Sequence, residues 1–237
     1  MERYMTHLIK GAQIRTQNFL DARETDQRSP QYGGMKGDIR EVKPTVYALT
    51  TAVAVYVNKQ SRFCQDDELY EAISLALDFI RNLQRMDGSF DFPSCNFMSA
   101  ADTSFCFKRM IGAYRLLDRY GGETEKTGVL KDKYIVIMHH ALEAIRAGGF
   151  HTPNHRWGIA AALLQGAGLF QAEKEFAGAL KKRGGQYLDE GIDGDGDGEY
   201  AERSTGNYNA VVNNAMMAMY EETGDENFRG ISGAILI

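Results

Sequence analysis

Two polar stretches carry the residue types that could do chemistry. One is F-H-T-P-N-H-R-W, residues 150–157, with Asn154, His155, Arg156 and Trp157 in a row and His151 close by. The other is D-G-D-G-D-G-E-Y-A-E-R-S-T-G-N-Y, residues 193–208, with Tyr200, Glu202, Arg203 and Tyr208 in its second half. His155 is the best candidate for a general base, because an unperturbed imidazole titrates near neutrality. A tyrosine serves as acid or base only where positive charge lowers its pKa from about 10, a charge that Arg156 or Arg203 could supply if the stretches converge. The plainer reading competes at each point. Thr152-Pro153 punctuates, and Asn154 suits the cap of a following helix without any need for His155 or Arg156. Tyr208 falls on the apolar face of the next helical segment, where core packing would account for it. A third polar segment, C-N-F-M-S, places Asn96 in an aromatic loop ahead of a helix.

The first half of the second stretch has the opening of a calcium loop, with Asp193, Asp195 and Asp197 followed by Gly198. Such a loop needs a bidentate carboxylate at its twelfth position. Ser204 stands there and Glu202 falls short of it, so half a motif is present. Ca²⁺ stays open as a ligand, no cofactor is required, and a solvated acidic turn is the stronger reading.

Bulk composition limits the alternatives. The 237 residues can bury one sizeable core or two small ones. A net charge of −5 gives no basic footprint for nucleic acid, although a local basic patch could still bind an anionic sugar. Three cysteines (Cys64, Cys95 and Cys106) have no framework spacing, which argues against disulfides and zinc. No stretch approaches the ~20 apolar residues of a membrane span. The charged N-terminus does not read as a signal peptide. A cytoplasmic protein is the expectation, or a periplasmic or secreted one if the N-terminus is truncated.

Hydrophobic periodicity supplies the scaffold. The pattern predicts helices over 2–20, 45–60, 67–85, from Asp102 or Thr103 to about Tyr120, and over 128–147, 157–170, 172–190 and 207–222. Asp66 is placed to cap the third, and Gly121-Gly122 and Gly148-Gly149 to stop two others. Residues 24–44 and 84–103 read as long loops, and the tail at 224–237 has no strong pattern. About eight helices and no convincing strand make the chain all-α. D-G-S-F at 87–90 and D-G-E-Y at 197–200 form a weak internal echo. Such repetition points to stacked helical hairpins whose long loops gather on one rim.

The combination of F-H-T-P-N-H-R-W, an alanine-rich helix and D-G-E-Y-A-E-R-S-T-G-N-Y resembles the heparinase II/III-type polysaccharide lyases, and more broadly the (α/α)-toroid lyases. The resemblance spans roughly 45–223, with the two polar stretches its specific part. It implies an incomplete (α/α) toroid of about four stacked hairpins over 1–237, with the chain a fragment of a longer lyase or a reduced relative. It implies β-elimination in a uronate-containing polysaccharide. Asn154 would neutralise the carboxylate, His155 would act as base, and Tyr208 as base or acid. Asn96, Arg156, Trp157, Tyr200, Glu202 and Arg203 would bind the substrate, with Asn96 a second neutraliser and Trp157 a platform for a sugar ring. The implied partner is an anionic polysaccharide or oligosaccharide, and self-association stays open. A glycoside hydrolase on the same fold is the enzymatic alternative, drawing two carboxylates from Asp87, Asp102, Asp197 and Glu202. A non-catalytic carbohydrate-binding remnant or scaffold is the other.

Overall fold

The computed structural model describes residues 2–191, 200–204 and 206–229. Asp193, Asp195 and Asp197, the candidate calcium ligands, lie outside the described residues, as does most of the tail. Among the described residues there are eight long helices: α1 (Glu2–Ala22), α2 (Lys43–Tyr56), α3 (Asp67–Leu83), α4 (Ala100–Tyr120), α5 (Glu125–Ala147), α6 (Pro153–Leu169), α7 (Lys174–Leu188) and α8 (Asn207–Thr223). The all-α expectation holds, with one addition. Residues 90–99 form a small hairpin, β1 (Phe90–Phe92) and β2 (Asn96–Ser99), where the sequence reading has only loop. No helix among the described residues is long and apolar enough to cross a membrane.

Local chemistry explains the helix boundaries. Asp66 accepts a hydrogen bond from the Leu69 amide at 2.8 Å, and Asp67 and Glu68 follow in the first turn, where carboxylates favour the positive end of the helix dipole. Asp66→Ala is expected to cost about 1 kcal/mol in stability by chemical denaturation. The start of α4 corrects the expected cap. Ser99, rather than Asp102 or Thr103, receives the Asp102 amide at 3.1 Å, and its hydroxyl donates to the Asp102 carboxylate at 2.7 Å. This reciprocal pair satisfies two groups at a buried helix end. Helix α5 starts before the expected residue 128, with the Thr124 hydroxyl accepting from the Thr127 amide.

Residues 1–98 and 106–140 make up one compact unit; residues 99–105 and 141–237 make up the other. In the first, the apolar stripe of α3 (Leu69, Ile73, Ala76, Leu77 and Ile80) is fully buried. Gln84 ties the end of α3 down, its amide donating to the carbonyls of Gly88 and Ile137.

In the second unit α6 packs against both α7 and α8. Twelve of its seventeen residues are buried, so it is apolar nearly all round. Small residues let its neighbours approach closely. A Cβ at Gly158 would meet the Phe105 ring, and one at Gly166 would meet Leu142. The loop after α5 is fastened to α7, with the Tyr187 hydroxyl donating to the Gly148 carbonyl at 2.9 Å.

Candidate active site at the start of helix α6

Helix α6 starts at Pro153 rather than at the expected residue 157, so Asn154, His155 and Arg156 lie in its first turn. Pro153 occupies the opening position, where its missing N–H costs nothing and its fixed φ suits the helix. Thr152 stands at the cap but gives the backbone no side-chain bond. The acceptor comes instead from 48 residues along the chain. One oxygen of Glu202 accepts the Asn154 backbone N–H at 2.9 Å, and the other accepts Asn154 Nδ2–H at 2.7 Å. The two polar stretches therefore meet at the α6 N-terminus, through a carboxylate held where the helix dipole favours negative charge.

This contact changes how Asn154 can act. The side chain is 3% exposed, and Nδ2 donates both to Glu202 and to the Thr152 hydroxyl at 3.0 Å. An amide nitrogen has two protons to donate. Both are engaged, so a substrate carboxylate can receive one only by displacing a present partner.

Arg156 and Trp157 are not open to a ligand. Arg156 is 3% exposed; Nη1 donates to Glu190 at 3.0 Å and Nη2 to the Gly191 carbonyl at 2.6 Å. Its guanidinium also lies 4.4 Å from the centre of the Trp157 ring. Trp157 is 1% exposed and presents no face to a sugar. Both residues hold the first turn of α6 in the core, a correction to their expected substrate contacts.

The tyrosines reverse their expected environments. Tyr200 is 3% exposed and its hydroxyl donates to Asn213 at 2.9 Å. Burial pushes its pKa up to about 12, the wrong direction for a base at neutral pH. Tyr208, expected to share the core face of α8, is half exposed at 50%, while Val212, Ala215 and Met219 form that face. Arg203, five residues before it in sequence, is exposed and has φ of +45°.

His155 is half-buried. Its ring meets Phe105 edge-on at 5.7 Å and His151 at 6.2 Å between centroids. The His151 side chain is exposed. Asn96 lies on β2, in the other unit of the chain. Of the carboxylates considered for hydrolysis, Asp102 is buried and receives Ser99, and Asp87 receives the Ser89 amide and hydroxyl. Hydrogen bonds from Ser89 hold the Asp87 carboxyl below its ordinary pKa against the opposing effect of burial.

The raised tyrosine pKa values make a pH prediction. Tyr134, fully buried, is pushed up by burial in the same direction as Tyr200. In the unfolded chain both ionise near 10, so the unfolded state loses protons first and gains stability. The stability contributed by the neutral phenols is complete below pH 10. It should fall as the pH climbs from there to about 12 for Tyr200, and further for Tyr134. Denaturation midpoints across that range should decline less in Tyr200→Phe than in the wild type.

Compared with family models, with curated proteins and with solved structures, the chain matches none.

Proposed function

We propose that the chain is a polysaccharide lyase of (α/α)-toroid type, cleaving a uronate-containing polysaccharide by β-elimination. The observation that carries this reading is the Glu202 carboxylate on the Asn154 donors, in the same helical turn as His155. Glu202 stands in for the uronate carboxylate. The backbone N–H and side-chain amide of Asn154 form a two-point carboxylate site at a helix N-terminus.

Removal of the proton α to a carboxylate places a second negative charge on the resulting enolate. Donors fixed on that group stabilise the charge as it forms. In this reading the substrate carboxylate exchanges with Glu202. His155 takes the C5 proton, the C4–oxygen bond breaks, and the exposed Tyr208 hydroxyl protonates the departing oxygen. Arg203, exposed in the connecting turn, offers a charge to the sugar chain. Binding depends on an anionic polysaccharide or oligosaccharide, and no metal enters the step.

The test is direct. Elimination yields a 4,5-unsaturated uronate that absorbs ultraviolet light, without consuming water. Incubation with alginate, heparan sulfate and chondroitin sulfate should raise that absorbance on at least one. New reducing ends without new absorbance would instead mean hydrolysis, and binding without products a non-catalytic module.

A further inference from the structure

A second feature, in the other unit and independent of the lyase reading, is a groove of about 460 Å³ between α1, α2 and the second half of α4. Its lining is mostly aliphatic, with Leu8, Ala12, Ala54 and Leu116 among the contacts, Thr50 and Thr51 as hydroxyls, and His7 and Arg15 as its larger polar side chains. A Cβ added at Gly11 or at Gly112 would meet nothing within 4 Å, so the furrow is unfilled along α1 and α4. Tyr4, Met5 and Leu8 stand exposed on the first turns of α1. Tyr4, Leu8 and Ala12 fall one turn apart, the ridge a packed helix would meet.

The charge around this groove is one-sided. The lining residues include Arg15 and His7 and no aspartate or glutamate, and Arg3, Lys108 and Arg109 lie nearby on α1 and α4. Elsewhere cations are routinely paired, as in Arg23–Glu68, Lys126–Asp67 and Lys133–Asp78. Arg15 and Arg109 have no carboxylate partner among the described residues; Arg109 instead lies 4.7 Å from the centre of the Tyr47 ring. Lys108 beside it is half-buried, and desolvation together with the Arg109 charge brings its ammonium down to about 8. A protein of net charge −5 has thus set Arg15 on the lining of this apolar furrow and Arg109 two turns along α4 from Leu116, both without a carboxylate partner among the described residues.

We propose that this groove receives an acidic amphipathic helix of a partner protein. A helix satisfies its own backbone, so it can lie on an aliphatic floor that offers few hydrogen bonds. Its apolar residues at one-turn spacing fill the furrow between Leu8 and Leu116, and its carboxylates meet the rim of arginine and lysine. A second copy docking through the same face would set this cationic rim against itself.

The probe is a fluorescein-labelled peptide of about sixteen residues, with leucine at i, i+4, i+7 and i+11 and glutamate on the opposite face. Anisotropy titration against the full chain should give saturable binding with Kd in the tens of micromolar, weakened by salt. Leu8→Glu and Arg109→Glu should each weaken it by ~10-fold, and a scrambled peptide of equal composition should bind ~10-fold less tightly. Both side chains are exposed, so melting temperatures of the variants should match the wild type. Equal binding of the scrambled peptide would reduce the groove to a charged patch and overturn the proposal. So would the absence of saturation at ~1 mM, or tighter binding of a heparin oligosaccharide or a DNA strand that Leu8→Glu leaves unchanged.

Discussion

Replacing Gly88 with alanine is expected to destabilise the chain by at least ~3 kcal/mol, among the larger single-site effects in an α-helical core. Two independent causes add. The residue sits at φ +89°, where an L side chain is strained by about 1 kcal/mol or more. A Cβ there would also overlap the backbone carbonyl of His140, the worst steric encounter of any described glycine. That carbonyl belongs to α5 and cannot swing aside as a side-chain tip can. The turn is further fixed by the Gln84 amide on the Gly88 carbonyl at 2.9 Å and by the Gly88 amide on the Arg85 carbonyl at 2.9 Å. Gly122 separates the two causes, because it has φ +73° with nothing within 4 Å of its Cβ position. Gly122→Ala should therefore cost about 1 kcal/mol, the conformational part alone. Gly128→Ala, in open space within α5, should stabilise by ~0.5–1 kcal/mol. Urea midpoints of the three variants would order them. A Gly88→Ala loss no greater than that of Gly122→Ala would show that the turn yields freely.

The contrast between these glycines was not visible in the sequence, where D-G, G-G and T-G look equally like punctuation. What the sequence did carry was periodicity. The α3 stripe and its Asp66 cap are legible because both signals are local, within four residues of the groups they serve. The start of α6 was misplaced for the opposite reason. Pro153 fits a loop or a first helical position equally well, and the acceptor that decides between them, Glu202, is distant along the chain. Burial was harder still. Arg156 and Trp157 have the chemistry of ligand-binding residues, yet an arginine can be buried wherever a carboxylate, a carbonyl and a ring meet it, and none of these is adjacent in sequence. Tyr200 and Tyr208 differ by eight positions across a turn, and the turn geometry assigns one to the core and the other to the surface. The hairpin at 90–99 escaped because three- and four-residue strands hold too little alternation to read. The cationic groove escaped because net charge averages over the whole surface.

His155→Ala is expected to lower the rate of uronate elimination by 10²–10⁴-fold, the usual contribution of a positioned general base. Tyr208→Phe should cost a comparable factor as the proton donor, and since its side chain is half exposed the fold should be unaffected. His155→Ala alone does not distinguish a proton-transfer role from damage to the α6 N-terminus, and Glu202 supplies the missing comparison. If its carboxylate occupies the site of the uronate, Glu202→Gln removes a competing charge. KM should then fall several-fold while kcat changes little, since the donors of Asn154 are released to the substrate. If Glu202 serves only as the cap of α6, the same change weakens a charge-assisted hydrogen bond, lowers the melting temperature and leaves KM alone. Asn154→Asp sharpens the choice further. It places a carboxylate opposite Glu202 and removes the amide donor, so it should raise KM and lower kcat together if the pair marks the substrate site. A set in which His155→Ala retains full activity would remove the base from the mechanism. A set in which Glu202→Gln and Asn154→Asp alter stability but neither kinetic constant would leave the contact between the two stretches a purely structural clasp.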